Sequence, residues 1–328
     1  MLNRTPPAVV STTTTTSTIA FPLTHACWKR CVQCLLRPWQ ADASRELWTR
    51  YILTRYTEPQ RHYHTLEHLE EMLQQLTQYQ LEAVVGQRIP NNVTNTYRLL
   101  TMDLSILFHD VVYNPQCNDN EECSADWFQE FWAECSQLAS LSTSTLLVSE
   151  ASAAAGTCEG NEKMKTLCEG TQLLPLLWDT PDNALLVKTR VVEFILATKH
   201  HMSVKPLYLR CGNKTKGSEE SEEEKEEEKK NEELVTPPDL HIFLDIDLAI
   251  LGSDAVRYQR YARDIRSEYN WYNDRDFCRG RAAFLRGFLD HPQWYKTKFF
   301  CDILEDKARS NVQAEVDALE TQVNQMKE

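Results

Sequence analysis

From Tyr97 to Tyr113 the chain is almost entirely apolar: Leu99, Leu100, Met102, Leu104, Ile106, Leu107 and Phe108 leave little polar surface on any side. A helix apolar all round has to be enclosed by other elements. The segment therefore predicts a central, buried helix with the rest of the chain packed about it. Asn114-Pro115 stops it, since the residue before a proline avoids the helical region. Near its end stands the pair His109-Asp110. Neighbours on a helix point about 100° apart, so the two do not share a face, but both can lean toward one ion from a wall of helices. An imidazole beside a carboxylate suits Mg, Mn, Fe, Ni or Zn. Seven of the nine histidines (62, 64, 68, 109, 200, 201 and 241) fall between Arg61 and Asp247. That clustering beside carboxylates favours a metal site over isolated core histidines.

The rest of the body also reads as helix, so the expected fold class is all-α. Leu47, Tyr51 and Ile52 open an amphipathic stretch ending near Glu58-Pro59. From His64 onward Leu66, Leu69, Leu73 and Leu76 recur at three and four residues, the helical period. Asp119-Asn120 offers capping side chains for a helix through Trp127 and Trp132. Further helices are expected over 184–200, 241–251 (closed by Gly252), 254–272, 276–290 and 297–323. The chain has only nine glycines and neither a phosphate-binding loop nor a dinucleotide fingerprint. Any phosphate handled here must be held by metal and by Arg or Lys.

Residues 1–40 read as an N-terminal tail, disordered or targeting, ahead of a single helical domain over 41–328. The first acidic residue is Asp42, preceded by Arg4, Lys29, Arg30 and Arg37, a composition compatible with a transit peptide or with a plain disordered tail. Two insertions interrupt the domain, at about 136–172 and 211–238. The second contains ten Glu against three Lys over 219–233, so about half of the net charge of −13 is local. A charge of that sign argues against binding nucleic-acid duplexes, and no run reaches the roughly 18 apolar residues that span a bilayer. Eleven scattered cysteines read as reduced thiols. They point to the cytoplasm, with a mitochondrial or other organellar destination open. Cys27-x3-Cys31-x2-Cys34 has the spacing of the iron–sulfur triplet in radical enzymes that use S-adenosylmethionine. Gln33 stands where those enzymes carry an aromatic residue, and there is no βα alternation behind it. At i, i+4 and i+7 the three also share one helical face, which makes them packing residues.

Several pieces, in order, resemble a known family: Arg61-His62-Tyr63-His64-Thr65-Leu66-Glu67-His68; Leu107-Phe108-His109-Asp110-Val111-Val112-Tyr113-Asn114-Pro115; and Asp119 to Ala125. Phe243 to Gly252 with Asp245-Ile246-Asp247, Ile265 to Tyr269, Gly280-Arg281, Glu305 and Ala308 to Asn311 complete the set. Over roughly 45–325, less the insertions, the chain resembles the HD superfamily of metal-dependent phosphohydrolases. Within it the resemblance is closest to a subfamily described only as predicted HD phosphohydrolases. It implies a helical bundle with metal ligands at His109, Asp110 and a downstream Asp, either Asp247 (followed by Leu and Ala) or Asp245. Tyr63-His64-x3-His68 also resembles the cyclic-nucleotide phosphodiesterase motif, which implies His68 as ligand and His64 as general acid; the simpler HD pattern makes His64 the first ligand. Glu121 and Glu122 are candidates to position or deprotonate water. One of His200 and His201, with His201 preferred, could serve a second ion. Arg61, Lys199, Arg266, Arg281 and Arg309 are candidate phosphate contacts.

The implied activity is hydrolysis of a small phosphomonoester or phosphodiester, a nucleotide among the options, by a metal-activated water. The cofactor is a divalent ion, with Mg, Mn, Ni, Co, Fe and Zn all open, as is the oligomeric state. Two alternatives stand beside it: a non-enzymatic metal- or ligand-binding module, and a di-iron HD-type oxygenase.

Overall fold

The computed structural model describes residues 20–85, 93–154, 176–207 and 238–326, and all of the regular structure among them is helical. The helices are α1 (Pro22–Leu35), α2 (Ala41–Leu47), α3 (Thr54–Tyr56), α4 (Leu66–Val85), α5 (Val93–Phe108) and α6 (Asn120–Ala154). They continue as α7 (Pro181–Thr198), α8 (Pro238–Asp247), α9 (Ala255–Glu268), α10 (Asp274–Leu289) and α11 (Lys298–Gln325). A π-helical segment, Trp48–Leu53, joins α2 to α3, and a 3-10 turn, Leu248–Gly252, follows α8. Among the described residues no helix is long and apolar enough to cross a membrane.

α5 is the axis of the bundle. It packs against α1, α4, α6, α7 and α8, and every residue from Leu100 to His109 is buried. Even Asp103, in that apolar run, is inside, held by two parallel 2.9 Å hydrogen bonds from Arg30 of α1.

Three expectations are corrected. The N-terminal tail does not extend to residue 40: α1 is part of the core, with Cys27, Cys31 and Leu35 fully buried. Its first turn is tied to α4 by Glu70, whose carboxylate accepts from the backbone of Leu23 and Thr24 and from the Thr24 hydroxyl at 2.8–3.0 Å. Burial pushes the Cys27 and Cys31 thiols up. Second, the insertion at 136–172 begins as helix, because α6 runs on to Ala154 through a stretch without Gly or Pro. Residues 155–172, and the second insertion up to 237, lie outside the described residues, as do residues 1–19.

Third, Gly252 is needed for a close approach rather than for a left-handed cap. A Cβ there would sit 2.7 Å from the Leu304 Cβ and 3.0 Å from the Leu304 carbonyl oxygen, where α11 crosses the turn. Gly252→Ala should therefore cost about 1–3 kcal/mol of stability, read as a lower midpoint in thermal unfolding. A midpoint equal to that of the unsubstituted chain would mean that α11 can shift away freely.

Candidate functional site

Two loops meet at the end of α5: residues 57–65, leading into α4, and the turn 109–112, leaving α5. They are joined by Arg61, whose side chain is completely buried. Its guanidinium donates to the carbonyls of Asp110 at 2.6 Å, Val111 at 2.9 Å and His64 at 3.2 Å, and to Glu58 at 3.1 Å. Arg61 is thus a structural clamp and not the expected phosphate contact. Its removal leaves one buried and two part-buried carbonyls short of a donor. Arg61→Ala should lower stability by roughly 3 kcal/mol or more, and Arg61→Lys should recover little, because an ammonium lacks the planar fork. Calorimetry that finds Arg61→Lys as stable as the original chain would refute the clamp.

The clamped turn presents His109 and Asp110 to His68, on the first turn of α4, and to Asp247, the last residue of α8. The His68 and His109 Nε2 atoms are 3.2 Å apart. Asp247 Oδ1 lies 3.2 Å from the former and 3.5 Å from the latter. Asp110 Oδ2 lies 3.1 Å from His109 Nε2 and 3.9 Å from His68 Nε2. His68, His109 and Asp110 form a group that could hold a metal ion. Ligand bonds of about 2.1 Å set adjacent donors about 3 Å apart, the spacing seen here.

The ring orientations are fixed from behind. His109 Nδ1 donates to the Ile106 carbonyl at 3.0 Å, so in the neutral ring Nε2 carries the lone pair. Tyr63 Oη meets His68 Nδ1 at 3.0 Å and leaves the Nε2 of that ring facing the cluster. Such backing is what metal-binding imidazoles require. Burial alone would pull the His109 pKa down, but Asp110 and Asp247 overcome it and raise it well above the ordinary value. Burial would likewise raise both carboxylates, yet the facing His109 holds each below its ordinary value.

His64 is placed differently from the expectation. The helical period was expected from His64 onward, which would put His64 and His68 on one face, but α4 begins only at Leu66 and His64 lies in the preceding turn. The cause is Glu268, at the end of α9. One of its oxygens accepts from the backbone N–H groups of His62, Tyr63 and His64 at 2.8–3.0 Å. The other accepts from His64 Nδ1 at 2.7 Å. With Nδ1 engaged and the ring stacked 3.9 Å from Tyr113, His64 Nε2 faces Asp110 Oδ2 at 3.9 Å. Burial opposes the imidazolium, but Glu268 overcomes that and raises the His64 pKa. Burial would raise Glu268 too, but His64 and the loop N–H groups bring it down to about 2. Glu268 is the residue that sequence reasoning missed. Its signal was a carboxylate on an apolar stripe, since Tyr258, Tyr261, Ile265 and Glu268 form the buried face of α9.

The other candidates divide. His201 Nε2 meets Asp247 Oδ2 at 2.8 Å, while His200 is exposed. Asp245 turns away: two residues before Asp247 it points to the other side of α8. There it accepts from Lys296 N, Thr297 N and the Thr297 hydroxyl at 2.6–2.8 Å, anchoring the start of α11. Burial pushes its pKa up to about 7 in spite of those donors. It is structural, not a ligand. Glu122 and Lys199 pair with each other at 2.6 Å and do not line the cavity described next. Arg266 is bound to the Tyr269 and Tyr272 carbonyls and to Asp274. Arg309 is bound to Glu305 and the His291 carbonyl.

His64, His68, Asp110, His201 and Asp247 open onto a cavity of about 590 Å³, and Glu121 and Arg281 also line it. That is the size of an ordinary small-molecule site. Compared with models of known families, with curated proteins and with solved structures, the chain matches none.

Proposed function

We propose that this chain is a metal-dependent phosphohydrolase of the HD type, acting on a phosphomonoester or phosphodiester. The observation that carries the reading is the convergence of His68, His109, Asp110 and Asp247 on one point of a cavity wall, with spacings of 3.1–3.9 Å, beside a second His–carboxylate pair. Those four residues would hold the ion. A divalent cation, when bound, supplies positive charge for phosphoryl oxygens and makes water a stronger acid near neutral pH.

The remaining side chains have roles of their own. His64 is outside the tightest part of the cluster, its Nδ1–H is held by Glu268, and its Nε2 is turned toward the cavity side of Asp110. That is the arrangement of a general acid that protonates a leaving oxygen, with Glu268 as positioning residue and partner to the imidazolium. His201, donating to the far oxygen of Asp247, orients that carboxylate. Glu121 is on the wall where it can orient water.

The direct test is metal analysis of the purified protein, followed by a phosphatase and phosphodiesterase screen with Mg, Mn, Ni and Co. Metal near one equivalent together with hydrolysis of a phosphate ester is the expected result. Bound metal with no hydrolysis across the screen favours a binding module, and bound iron with O₂ uptake favours an oxygenase.

A further inference from the structure

The walls of the cavity say more about the substrate than the cluster does. Among the described lining residues Arg281 is the one Lys or Arg. Its charge is already matched, with Nε 3.0 Å from Glu315 and Nη2 3.2 Å from the Tyr261 hydroxyl. Asp276 and Glu121 add negative charge to the same wall. Away from the His/Asp cluster, a polyphosphate would meet these carboxylates and no Lys or Arg among the described lining residues other than the already paired Arg281.

A nucleobase fares little better. The Asn120 side chain is bound through both its oxygen and its nitrogen to the Asn114 backbone, and the Thr198 hydroxyl donates to the Ile195 carbonyl at 2.7 Å. The Asn120 amide and the Thr198 hydroxyl, which could have read a base edge, already hold backbone partners. Much of the remaining lining is apolar: Leu248, Leu251, Ile265, Phe284, Leu285 and Phe288. This apolar wall reaches the surface, where Phe284 is 58% and Tyr272 47% exposed. The neighbouring Trp271 is 39% exposed.

We infer that the substrate is an amphiphile with a single phosphate head and an apolar chain: the head meets the His/Asp cluster and the chain lies along the wall formed by α10 and the turn 248–252. The inference rests on the phosphohydrolase reading and narrows it. Burying a methylene contributes enough to change an equilibrium about fourfold. From an ethyl to an octyl chain the gain should therefore compound to several thousandfold, on the order of 4⁶.

The test uses the full chain with the activating metal and two matched series kept below their critical micelle concentrations. One series is n-alkyl phosphates from ethyl to octyl, followed by turnover; the other is the corresponding phosphonates, which are not hydrolysed, followed by calorimetry. AMP and ATP are run beside them. Gly280 provides the control, because a Cβ added there meets nothing within 4 Å and the residue lies in the cavity wall. Gly280→Leu replaces a poor helix former with a good one while filling the space.

The expected result is a steady rise in phosphonate affinity and in kcat/KM with chain length, flattened in Gly280→Leu for the long chains but not for ethyl. A flat series, tighter binding of AMP or ATP than of octyl phosphonate, or a slope unchanged in Gly280→Leu overturns the inference. Hydrolysis of esters without chain preference would leave the phosphohydrolase reading standing and remove only the amphiphile. Affinity that rises with chain length without any turnover would do the reverse.

Discussion

His109→Ala is expected to lose the bound metal and, in metal-containing buffer, to unfold roughly 5–10 °C lower than the original chain. Ligand present at a thousand times its Kd stabilises a fold by about 4 kcal/mol, and in a chain of this size each kcal/mol moves the midpoint by roughly 2 °C. The substitution also removes a buried ring and its bond to the Ile106 carbonyl, a cost that is present without metal. Measuring both proteins with a chelator isolates that part; the remainder is the metal's. Asp110→Asn, which keeps the shape and removes the charge, should show the metal-dependent part nearly alone. His68→Ala should lose metal and turnover together. Full metal content in His109→Ala would sink the proposed ligand set.

The second large effect concerns the His64–Glu268 pair. His64→Ala should keep the metal and the fold but lose about 10²–10⁴-fold in turnover, the usual scale for general acid–base catalysis. The loss should shrink for p-nitrophenyl phosphate, whose leaving group needs little protonation. Glu268→Gln retains an acceptor for the loop N–H groups but not the charge opposite the imidazolium, so it should show a smaller loss with the same dependence on leaving group. If His64→Ala is instead the variant that loses metal while His68→Ala keeps it, His64 is the first ligand, as in the simpler HD pattern.

Glu268 also has a signature in stability. Its folded pKa, about 2, is below the ordinary 4.5, so the stability it contributes is fully present above pH 4.5 and is lost as pH falls toward 2. The size is on the order of 3 kcal/mol. Glu268→Gln, which cannot titrate there, should be less stable than the original chain at pH 6, and the gap should close on acidification. A gap that stays constant from pH 6 to pH 3 would rule out a charged Glu268 as the anchor of the loop.

Where sequence reasoning erred, the error had a physical source. His64 and His68 are four apart, which on a helix means one face. Yet the backbone N–H groups of residues 62–64 are drawn to Glu268, some 204 to 206 residues away, and the helix cannot begin before Leu66. Asp245 and Asp247 were both eligible by type, with Asp247 preferred for the Leu and Ala that follow it. Only the segment leading into α11, whose Lys296 and Thr297 N–H groups meet one side of α8, takes up Asp245 and leaves Asp247 for the cluster. Of the cationic candidates Arg281 lines the cavity, while Arg61, Lys199, Arg266 and Arg309 are each bound to a carboxylate or a carbonyl nearby in space but not always in sequence.

What the sequence by itself determined is what depends on local chain chemistry. The apolar period and the scarcity of glycine set the all-helical class. The largely apolar run of α5 set its place at the centre, and both follow from neighbours within a few turns of helix. His68, His109-Asp110 and a late Asp, far apart in the chain, were marked by the resemblance to the HD pattern rather than by any local period. The tertiary structure decided the positions within the site: that His64 lies in the turn before α4, which aspartate faces inward, that Glu268 holds His64, and that part of the cavity wall is apolar. Those properties belong to contacts between segments far apart in the chain, and a hydrogen bond from α9 or α11 leaves no periodic trace in the residues it constrains.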